Sequence, residues 1–352
     1  MSKEVNFENI YAHDRQPLHK VVPLDTPFAV NIESSSYCNI RCSYCVHSSP
    51  ESMAALGFAG NYSGGFMSEE TFQLILDQLC EFPKKIKCIT FGGIGEPLLH
   101  KDLPKMIAQV KERNITERIH LITNGITLTE EKADAIIRAG LGSMKISLQG
   151  IDAQAYYDIC GYHLDFKRFL KNIDYLYQHK GDCVIGIKIA DIALYRGKNE
   201  DKKLQAEEQY KKLFGDKCDK LGIERIIPAF PTVDYSKVDV LSGHGSRYNI
   251  TERNAKVCSR LFFHVNVLQN GSVTLCCCMG LHEEWMNVHN RTLKEIWDSD
   301  ARKRKMIKAL RDIQDDEMKV CQNCAIKNDI AFEEDNLDPY VDEILSRMAD
   351  CK

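Results

Sequence analysis

The sequence predicts an α/β protein: a partial (β/α)6 TIM-like barrel followed by a small C-terminal α+β domain. Apolar segments typical of strands alternate with amphipathic segments typical of helices through the first two thirds of the chain. The strand segments are apolar almost throughout, as in parallel sheets that helices cover. After about Asp234 the alternation stops and turn-forming residues take over, which indicates a domain boundary.

The predicted barrel has six strand segments separated by helices. The first strand, FAVNIESSS, begins at Phe28, and the helix after it has Ser68 as its N-cap. Further strands are predicted at 87–93, 118–125, 143–150, 183–194 and 223–230. Further helices are predicted at 103–114, 166–179 and 203–213. Another is predicted at 129–140, where Thr129 begins the helix as its N-cap and Gly140 ends it. The active face of such a barrel lies at the carboxyl ends of its strands.

The C-terminal part has a different pattern. A hairpin is predicted in FFHVNVLQNGSVTLCCC, with Asn270 and Gly271 at its turn, and a helix is predicted over 292–313. We therefore divide the chain into an N-terminal extension (1–27), the barrel (28–233), a linker (234–257) and the C-terminal domain (258–352).

Composition and charge narrow the class of protein. The chain has 352 residues and a net charge of −4 at pH 7, so a broad attraction to nucleic acid or to an anionic membrane is not indicated. The N-terminal sequence lacks the apolar core of a signal peptide, and no apolar run has the length of a membrane span. We therefore expect a cytoplasmic protein. In that compartment fifteen cysteines favour metal or redox chemistry over a disulfide framework.

Three cysteines lie close together directly after the first strand. Cys38, Cys42 and Cys45 have Cys-x3-Cys-x2-Cys spacing, with no fourth cysteine beside them. Three thiolates leave one position of a four-site metal centre open, and an iron–sulfur cubane and zinc both accept such ligands. The place of this loop, after the first strand of a βα array, favours a cubane with one open iron.

This loop resembles the signature of the radical S-adenosylmethionine (SAM) superfamily. The resemblance implies a [4Fe–4S] cluster on Cys38, Cys42 and Cys45, and places Tyr44 near the adenine of SAM. In that family the open iron binds the amino and carboxylate groups of SAM, and an electron from the cluster releases methionine and a 5′-deoxyadenosyl radical.

Other segments resemble the cofactor-binding motifs of the same family. FGGIGEPLLHKDL, after the second strand, resembles the Gly-Gly-Glu-Pro motif that binds the methionine amino group. ITNG and ISLQG, after the third and fourth strands, resemble the motifs on the ribose side. The fifth strand offers a lysine that either meets the SAM carboxylate or is an ordinary barrel lysine. The SAM-binding residues implied are Tyr44, Gly93, Gly95, Glu96, Asn124, Ser147, Gln149 and Lys188.

Four of the cysteines in the C-terminal domain form a second pattern. Cys258, Cys276, Cys321 and Cys324 resemble the SPASM or shorter twitch extension of radical enzymes, which binds auxiliary iron–sulfur clusters. From spacing alone structural zinc would be favoured. Because the upstream cysteine triad resembles an iron–sulfur site, we instead interpret these four cysteines as ligands of one auxiliary [4Fe–4S] cluster. This is the twitch type found in 2-deoxy-scyllo-inosamine dehydrogenase. Two [4Fe–4S] clusters and SAM are therefore the expected cofactors.

The function that this resemblance implies is hydrogen-atom abstraction from a substrate. The chain ahead of the first strand is short for a leader-peptide domain, which favours a small hydroxyl-rich substrate such as a sugar or aminocyclitol. Oxidation of a carbinol to a ketone would use the auxiliary cluster as electron acceptor, and flavodoxin or ferredoxin as reducing partner. The alternatives are a peptide maturase, an epimerase with Cys183, Cys277 or Cys278 as hydrogen donor, an electron-transfer protein and a zinc-binding interaction protein.

Overall fold

One eight-stranded sheet forms the centre of the molecule within the described part of the chain. The computed structural model describes residues 15–54, 65–230, 232–238, 254–276, 283–322, 324–330 and 332–350. The strands are β1 (Ala29–Ile32), β2 (Cys88–Phe91), β3 (Ile119–Thr123), β4 (Ser143–Leu148), β5 (Val184–Ala190), β6 (Lys220–Glu224), β7 (His264–Val267) and β8 (Val273–Thr274). Their order across the sheet is β6-β5-β4-β3-β2-β1-β7-β8, and the sheet does not close.

The first six strands confirm the predicted partial barrel. They are parallel and adjacent in chain order. The predicted C-terminal hairpin also forms, because β8 pairs antiparallel with β7 and Gly271 has the positive φ of 82° that such a turn needs. The strand β7 lies parallel to β1 on its free side, so the hairpin extends the barrel sheet.

Helices follow the strands. They are α1 (Pro50–Ala54), α2 (Glu69–Leu79), α3 (Leu103–Arg113), α4 (Glu130–Arg138), α5 (Ala153–Cys160), α6 (Phe166–His179), α7 (Asp191–Tyr195), α8 (Glu200–Phe214), α9 (Arg260–Phe263), α10 (Leu293–Trp297), α11 (Asp300–Leu310) and α12 (Val341–Asp350). Both predicted N-caps are confirmed, because Ser68 accepts a hydrogen bond from the amide of Thr71 and Thr129 accepts one from the amide of Lys132. Among the described residues, no helix is long and apolar enough to cross a membrane.

Three predicted boundaries were wrong. The sixth strand ends at Glu224 instead of continuing to 230, because its pairing with β5 stops where Glu224 meets Ala190. The segment predicted as one strand over 183–194 turns at Asp191 into the short helix α7. The helix predicted over 292–313 is two helices, because the side chain of Ser299 caps a new one.

The two faces of the barrel sheet differ in polarity. Successive strand residues point to opposite faces, and the residues that face the helices are buried and apolar, such as Ile32, Phe91 and Ile146. Paired positions in parallel strands share a face, so the strand register identifies the residues on the inner face. These inner residues are largely polar: Asn31, Thr90, His120, Lys145, Ser147, Lys188 and Glu224.

A buried arginine connects the C-terminal helices α9, α10 and α11. Arg302 of α11 stacks over the Trp297 ring at 3.3 Å and donates hydrogen bonds to the carbonyl oxygens of Leu261 and Phe262 in α9. Burial lowers the pKa of Arg302 to about 9. Because α9 leads directly into β7, this contact fixes the segment that follows Cys258.

Candidate active site

The three cysteines of the first loop line one cavity at the carboxyl ends of the strands. The cavity measures about 130 Å³. The loops after β1, β2 and β3 and the ends of β3 and β4 form its wall, as expected for the active face of a barrel. Its lining residues are Cys38, Ile40, Cys42, Cys45, Gly93, Gly95, Glu96, Ile122, Thr123, Asn124 and Ser147. Most of the residues that the sequence predicts for the SAM site therefore lie together.

The donor set of this loop fits an iron–sulfur cluster. Burial raises the pKa of Cys38 to about 11 and raises that of Cys45. A hydrogen bond with Cys160, together with burial, raises the pKa of Cys42. Three thiolates buried together need a compensating positive charge, which bound iron would supply.

The three thiols border one open cavity of about 130 Å³. Its volume can accommodate a group larger than a single metal ion, such as a cubane.

The carboxylate of Glu96 joins the loops after β2 and β3. It accepts hydrogen bonds from the Thr123 hydroxyl at 2.6 Å, from the Asn124 amide at 2.7 Å and from the Leu98 amide at 2.9 Å. Burial raises the pKa of Glu96. Because both carboxylate oxygens accept hydrogen bonds from the protein, the Glu96 side chain holds the wall of the cavity in place. The backbone of its loop is then the part available to contact a ligand.

Asn124 extends this connection to the thiol loop. Its side-chain amide donates to the Asn39 side-chain oxygen at 2.8 Å and lies 3.9 Å from the Cys38 sulfur. The predicted ribose-side residue thus also fixes the conformation of the cysteine loop.

Two glycines bring the loop after β2 against the end of β1. A Cβ on Gly95 would lie 1.8 Å from the Ser35 carbonyl oxygen. Gly93 has a φ of 128°, and its Cβ would lie 2.7 Å from Oε2 of Glu33. Glu33 is buried and accepts a hydrogen bond from the Ile94 amide at 2.9 Å. Glu33 was not predicted as a site residue, although a carboxylate directly after an apolar strand is a signal for such a role.

Tyr44 and Gln149 contact each other. The Tyr44 hydroxyl donates a hydrogen bond to the Gln149 side-chain oxygen. Gln149 also donates to the Ser147 carbonyl oxygen at 3.4 Å, and burial raises the pKa of Tyr44. The two residues predicted for the adenine and ribose sides are therefore part of one arrangement next to the cavity.

Lys188 lies beside the cavity, on the inner face of the sheet. Its ammonium group forms an ion pair with Glu224, whose other carboxylate oxygen is 3.2 Å from the Lys145 ammonium. Strand register places Lys188 next to Ser147, which lines the cavity. Lys145 and Glu224 were not predicted from the sequence as site residues. The signal for them is that polar residues recur at alternate positions of β4 and β6.

One of the three predicted hydrogen donors, Cys183, lies away from this cavity. Cys183 is buried and precedes β5, so it lies at the amino ends of the strands, opposite the active face. Burial raises its pKa to about 12. Cys277 and Cys278 lie outside the described residues.

The four cysteines predicted to bind the auxiliary cluster are all partly buried. Cys276 lies two residues after the end of β8, and its carbonyl oxygen accepts a hydrogen bond from the Asn266 side chain at 2.7 Å. Cys321 and Cys324 share a turn closed by a backbone hydrogen bond of 3.4 Å. Cys258 lies just before α9.

Contacts on both sides of Cys258 attach its loop to the segment after Cys324. The Ala255 amide donates to the Asn328 side-chain oxygen at 2.9 Å. Arg260 forms an ion pair with Asp329, also at 2.9 Å. The loop with the first predicted auxiliary ligand is therefore fixed near the turn with the last two.

Comparison with known families identifies two matching regions. Residues 32–201 match the radical SAM superfamily. Residues 258–325 match an iron–sulfur cluster-binding domain, SPASM. The first domain implies a [4Fe–4S] cluster and SAM, and the second implies further iron–sulfur binding, which confirms the predicted cofactors. The narrower similarity to 2-deoxy-scyllo-inosamine dehydrogenase stays a prediction.

Individual relatives cover parts of the chain. A probable GTP 3′,8-cyclase of Methanococcus vannielii is 27% identical over 230 residues, which are 64% of this chain and 66% of that protein. The PqqA peptide cyclase of Xanthomonas campestris is 31% identical over 136 residues, 39% of this chain and 32% of that protein. The chain thus spans less than two thirds of the length of either relative.

Solved structures share the fold. Streptococcus suis SuiB bound to S-adenosylmethionine matches with a TM-score of 0.60 and 15% sequence identity, over 88% of this chain and 73% of that chain.

Proposed function

Because the chain carries a radical SAM domain followed by an iron–sulfur SPASM domain, we propose that it cleaves SAM and abstracts a hydrogen atom from a substrate inside the barrel. The observation that carries this proposal is the single cavity shared by Cys38, Cys42 and Cys45 with Gly93 and Gly95. One cavity offers thiol ligands on one side and a glycine-rich backbone turn on the other.

The residues of the cavity have separate tasks. The three thiolates would hold a [4Fe–4S] cluster, which when bound supplies the electron that cleaves SAM into methionine and a 5′-deoxyadenosyl radical. Gly93 and Gly95 let this turn pack against Glu33 and Ser35, which leaves the backbone groups of the turn to meet the methionine part. Glu96 keeps that turn in place, and Tyr44 with Gln149 borders the adenosyl side.

We infer that the substrate is small, polar and rich in hydroxyl groups. The inner face of the barrel next to the cavity is charged: it has Lys145 and Lys188 around Glu224, and the side chain of Lys188 is 24% exposed. Charged donors and acceptors on a barrel lining favour polar ligands over apolar side chains. This lining supports a sugar or aminocyclitol as the substrate.

The proposed reaction is oxidation of a carbinol to a ketone. Loss of the hydrogen atom on carbon leaves a ketyl radical, which becomes a ketone by losing one proton and one electron. The electron would pass to the iron–sulfur site of the SPASM domain, so one electron enters and one leaves in each turnover. Flavodoxin or ferredoxin would supply the first electron.

Peptide modification is the second candidate. The PqqA peptide cyclase is a relative over 39% of the chain, and its name states a peptide substrate. The GTP 3′,8-cyclase relative, by its name, uses a nucleotide. The charged inner face leads us to rank a small polar substrate first.

Deuterium transfer distinguishes these candidates. Sugars, nucleotide sugars, aminocyclitols and peptides, each deuterated on carbon, are incubated with reductant, SAM and anaerobically reconstituted protein. Dehydrogenation gives one deuterated 5′-deoxyadenosine per ketone, read by mass spectrometry. Epimerisation gives the same label together with solvent deuterium in a product formed in heavy water. Label from peptides alone would exclude the small-molecule substrate, and no 5′-deoxyadenosine from any candidate or from SAM alone would overturn the proposed function.

A further inference from the structure

The carboxylate of Asp338 binds the backbone directly ahead of Cys258. One oxygen accepts a hydrogen bond from the Val257 amide at 2.8 Å, and the other accepts one from the Lys256 amide at 3.0 Å. Because its two oxygens bind consecutive amides, this one side chain restrains the chain over two residues. Val257 is fully buried, and Cys258 is the next residue. Asp338 therefore fixes the backbone that leads into the first predicted ligand of the auxiliary cluster.

Asp338 is held in place by contacts of its own segment. The preceding residue, Leu337, has no exposed surface and belongs to the hydrophobic core. The ring of Tyr340, two residues further on, stacks on the His19 ring with a centroid distance of 3.5 Å and an interplanar angle of 7°. Because residues on both sides of it are anchored, Asp338 presents its carboxylate to the loop of Cys258 (residues 255–259) from a fixed position.

The same C-terminal segment contacts this part of the chain at two further points. The side-chain oxygen of Asn328 accepts the amide of Ala255, and Asp329 pairs with the side chain of Arg260. Of these three contacts, the one that Asp338 makes is nearest to Cys258 along the chain. Asp338 is therefore the contact whose loss should change the position of the Cys258 thiol most.

A ligand on an ordered loop favours cluster binding. The four predicted ligands come from three separate segments of the chain, which a cluster has to hold together: Cys258, Cys276, Cys321 and Cys324. A loop that folding has already ordered loses less conformational entropy when its cysteine binds iron. Removal of a group that holds a metal ligand in place typically weakens metal binding by about 10–100-fold.

We propose that Asp338 is a positioning residue of the auxiliary iron–sulfur site, because its carboxylate holds the loop of Cys258 in the conformation in which the thiolate binds iron. Asp338 acts through the backbone of this loop and is not itself an iron ligand. The inference rests on the proposed function, because it takes the four C-terminal cysteines as ligands of an iron–sulfur cluster.

Two variants of the full-length protein test this role. Asp338→Ala removes both acceptors. Asp338→Asn keeps one acceptor oxygen and places an NH2 group against the other backbone amide, so it retains part of the contact. The matched control is Asp165→Ala, because Asp165 likewise accepts a backbone amide, that of Arg168 at 3.1 Å, but lies at the start of α6 outside the C-terminal domain.

Each protein is reconstituted without oxygen and titrated with an iron chelator. EPR of the reduced protein distinguishes the two clusters, because the signal of the cluster that binds SAM changes when SAM is added and the signal of the auxiliary cluster does not. The quantity compared is the chelator concentration that removes half of each signal.

We expect Asp338→Ala to lose the SAM-insensitive signal at a chelator concentration about tenfold lower than wild type, and Asp338→Asn at an intermediate concentration. In both variants the SAM-sensitive signal and the formation of 5′-deoxyadenosine should stay at the wild-type level. Asp165→Ala should match wild type in both signals. The selective effect on one cluster separates positioning of Cys258 from a general loss of stability.

Wild-type resistance of the SAM-insensitive signal in Asp338→Ala would overturn the inference and leave the proposed function intact. Equal weakening of both signals would also overturn it, because that result would show a general loss of stability. If circular dichroism shows that Asp338→Ala is unfolded, Asp338→Asn is judged by the same two criteria. A wild-type protein that shows only the SAM-sensitive signal would overturn the auxiliary cluster itself, and with it the proposed path of the electron.

Discussion

The side-chain hydroxyl of Tyr44 donates a hydrogen bond to the side-chain oxygen of Gln149, although the two residues are 105 positions apart in the chain. Tyr44 belongs to the cysteine loop after β1, and Gln149 directly follows β4. The bond therefore connects the loop with the predicted cluster ligands to the side of the barrel predicted to bind the ribose of SAM.

We predict that this bond orients Gln149 for SAM. Tyr44→Phe removes only the hydroxyl, and the loss of one hydrogen bond should weaken SAM binding about tenfold. Gln149→Ala should have an effect of similar size. The measurement is anaerobic calorimetric titration of SAM, with iron content determined for each variant.

The double variant is the control for this prediction. If Tyr44 acts through Gln149, Tyr44→Phe combined with Gln149→Ala should bind SAM no more weakly than the weaker single variant. Additive losses would show that the two side chains contribute independently.

The loop after β2 offers a comparison between two neighbouring glycines. Gly95→Ala would place a methyl group 1.8 Å from the Ser35 carbonyl oxygen, whereas at Gly92 the nearest heavy atom is 3.4 Å away. We expect Gly95→Ala to lower the free energy of unfolding by about 1–3 kcal/mol and to abolish SAM binding, because the loop must move. Gly92→Ala should retain the wild-type free energy of unfolding and wild-type SAM binding. Urea unfolding and SAM titration check this, and normal binding by Gly95→Ala would contradict it.

Much of the fold follows from the sequence because its signals are local. The alternation of strands and helices, the N-caps at Ser68 and Thr129 and the hairpin turn at Gly271 each depend on neighbouring residues. Boundaries such as the end of β6 at Glu224 depend instead on the partner strand. The position of β7 beside β1 likewise depends on pairing between distant segments.

The candidate site likewise has parts that local sequence predicts and parts that depend on contacts between distant segments. The cysteine spacing and the glycine turn are local motifs, and the cavity contains both. The contacts of Glu33 under the glycine turn, of Glu224 between two lysines and of the end of α5 with the cysteine loop arise from packing between segments far apart in the chain. No periodicity or spacing in the sequence records such pairings.

Iron content should separate the two predicted cluster sites. Wild-type protein reconstituted without oxygen should bind about eight irons, two cubanes of four. Replacing Cys38, Cys42 and Cys45 with Ala together should leave about half of that iron and abolish SAM cleavage. Cys88→Ala is the control, since this buried thiol lies in β2 outside the cavity lining. Formation of 5′-deoxyadenosine by the triple variant would contradict the assignment.

The C-terminal site should be needed for product and not for SAM cleavage. If Cys258, Cys276, Cys321 and Cys324 hold the iron–sulfur site that accepts the substrate's electron, Cys321→Ala should still form 5′-deoxyadenosine while losing ketone. Circular dichroism must show a folded variant, because loss of a metal site can unfold its domain. A folded variant with less iron and undiminished ketone would show that this site is dispensable.

The last prediction concerns the buried carboxyl group of Asp191, at the end of β5. Its Oδ1 accepts hydrogen bonds from the amides of Ile192 and Ile226, while Oδ2 is buried without a hydrogen-bond partner. Burial raises the pKa of Asp191 above 3.8, although these amides and Arg225 favour the charged form. The folded protein therefore holds this proton more tightly than the unfolded chain, so the contribution is stabilising at low pH and is lost as the pH rises through the folded pKa. Asp191→Asn keeps an acceptor for both amides and cannot ionise. Urea unfolding from pH 4 to pH 7 should show the variant gaining stability relative to wild type as the pH rises, and a difference that stays constant or shrinks would contradict the raised pKa.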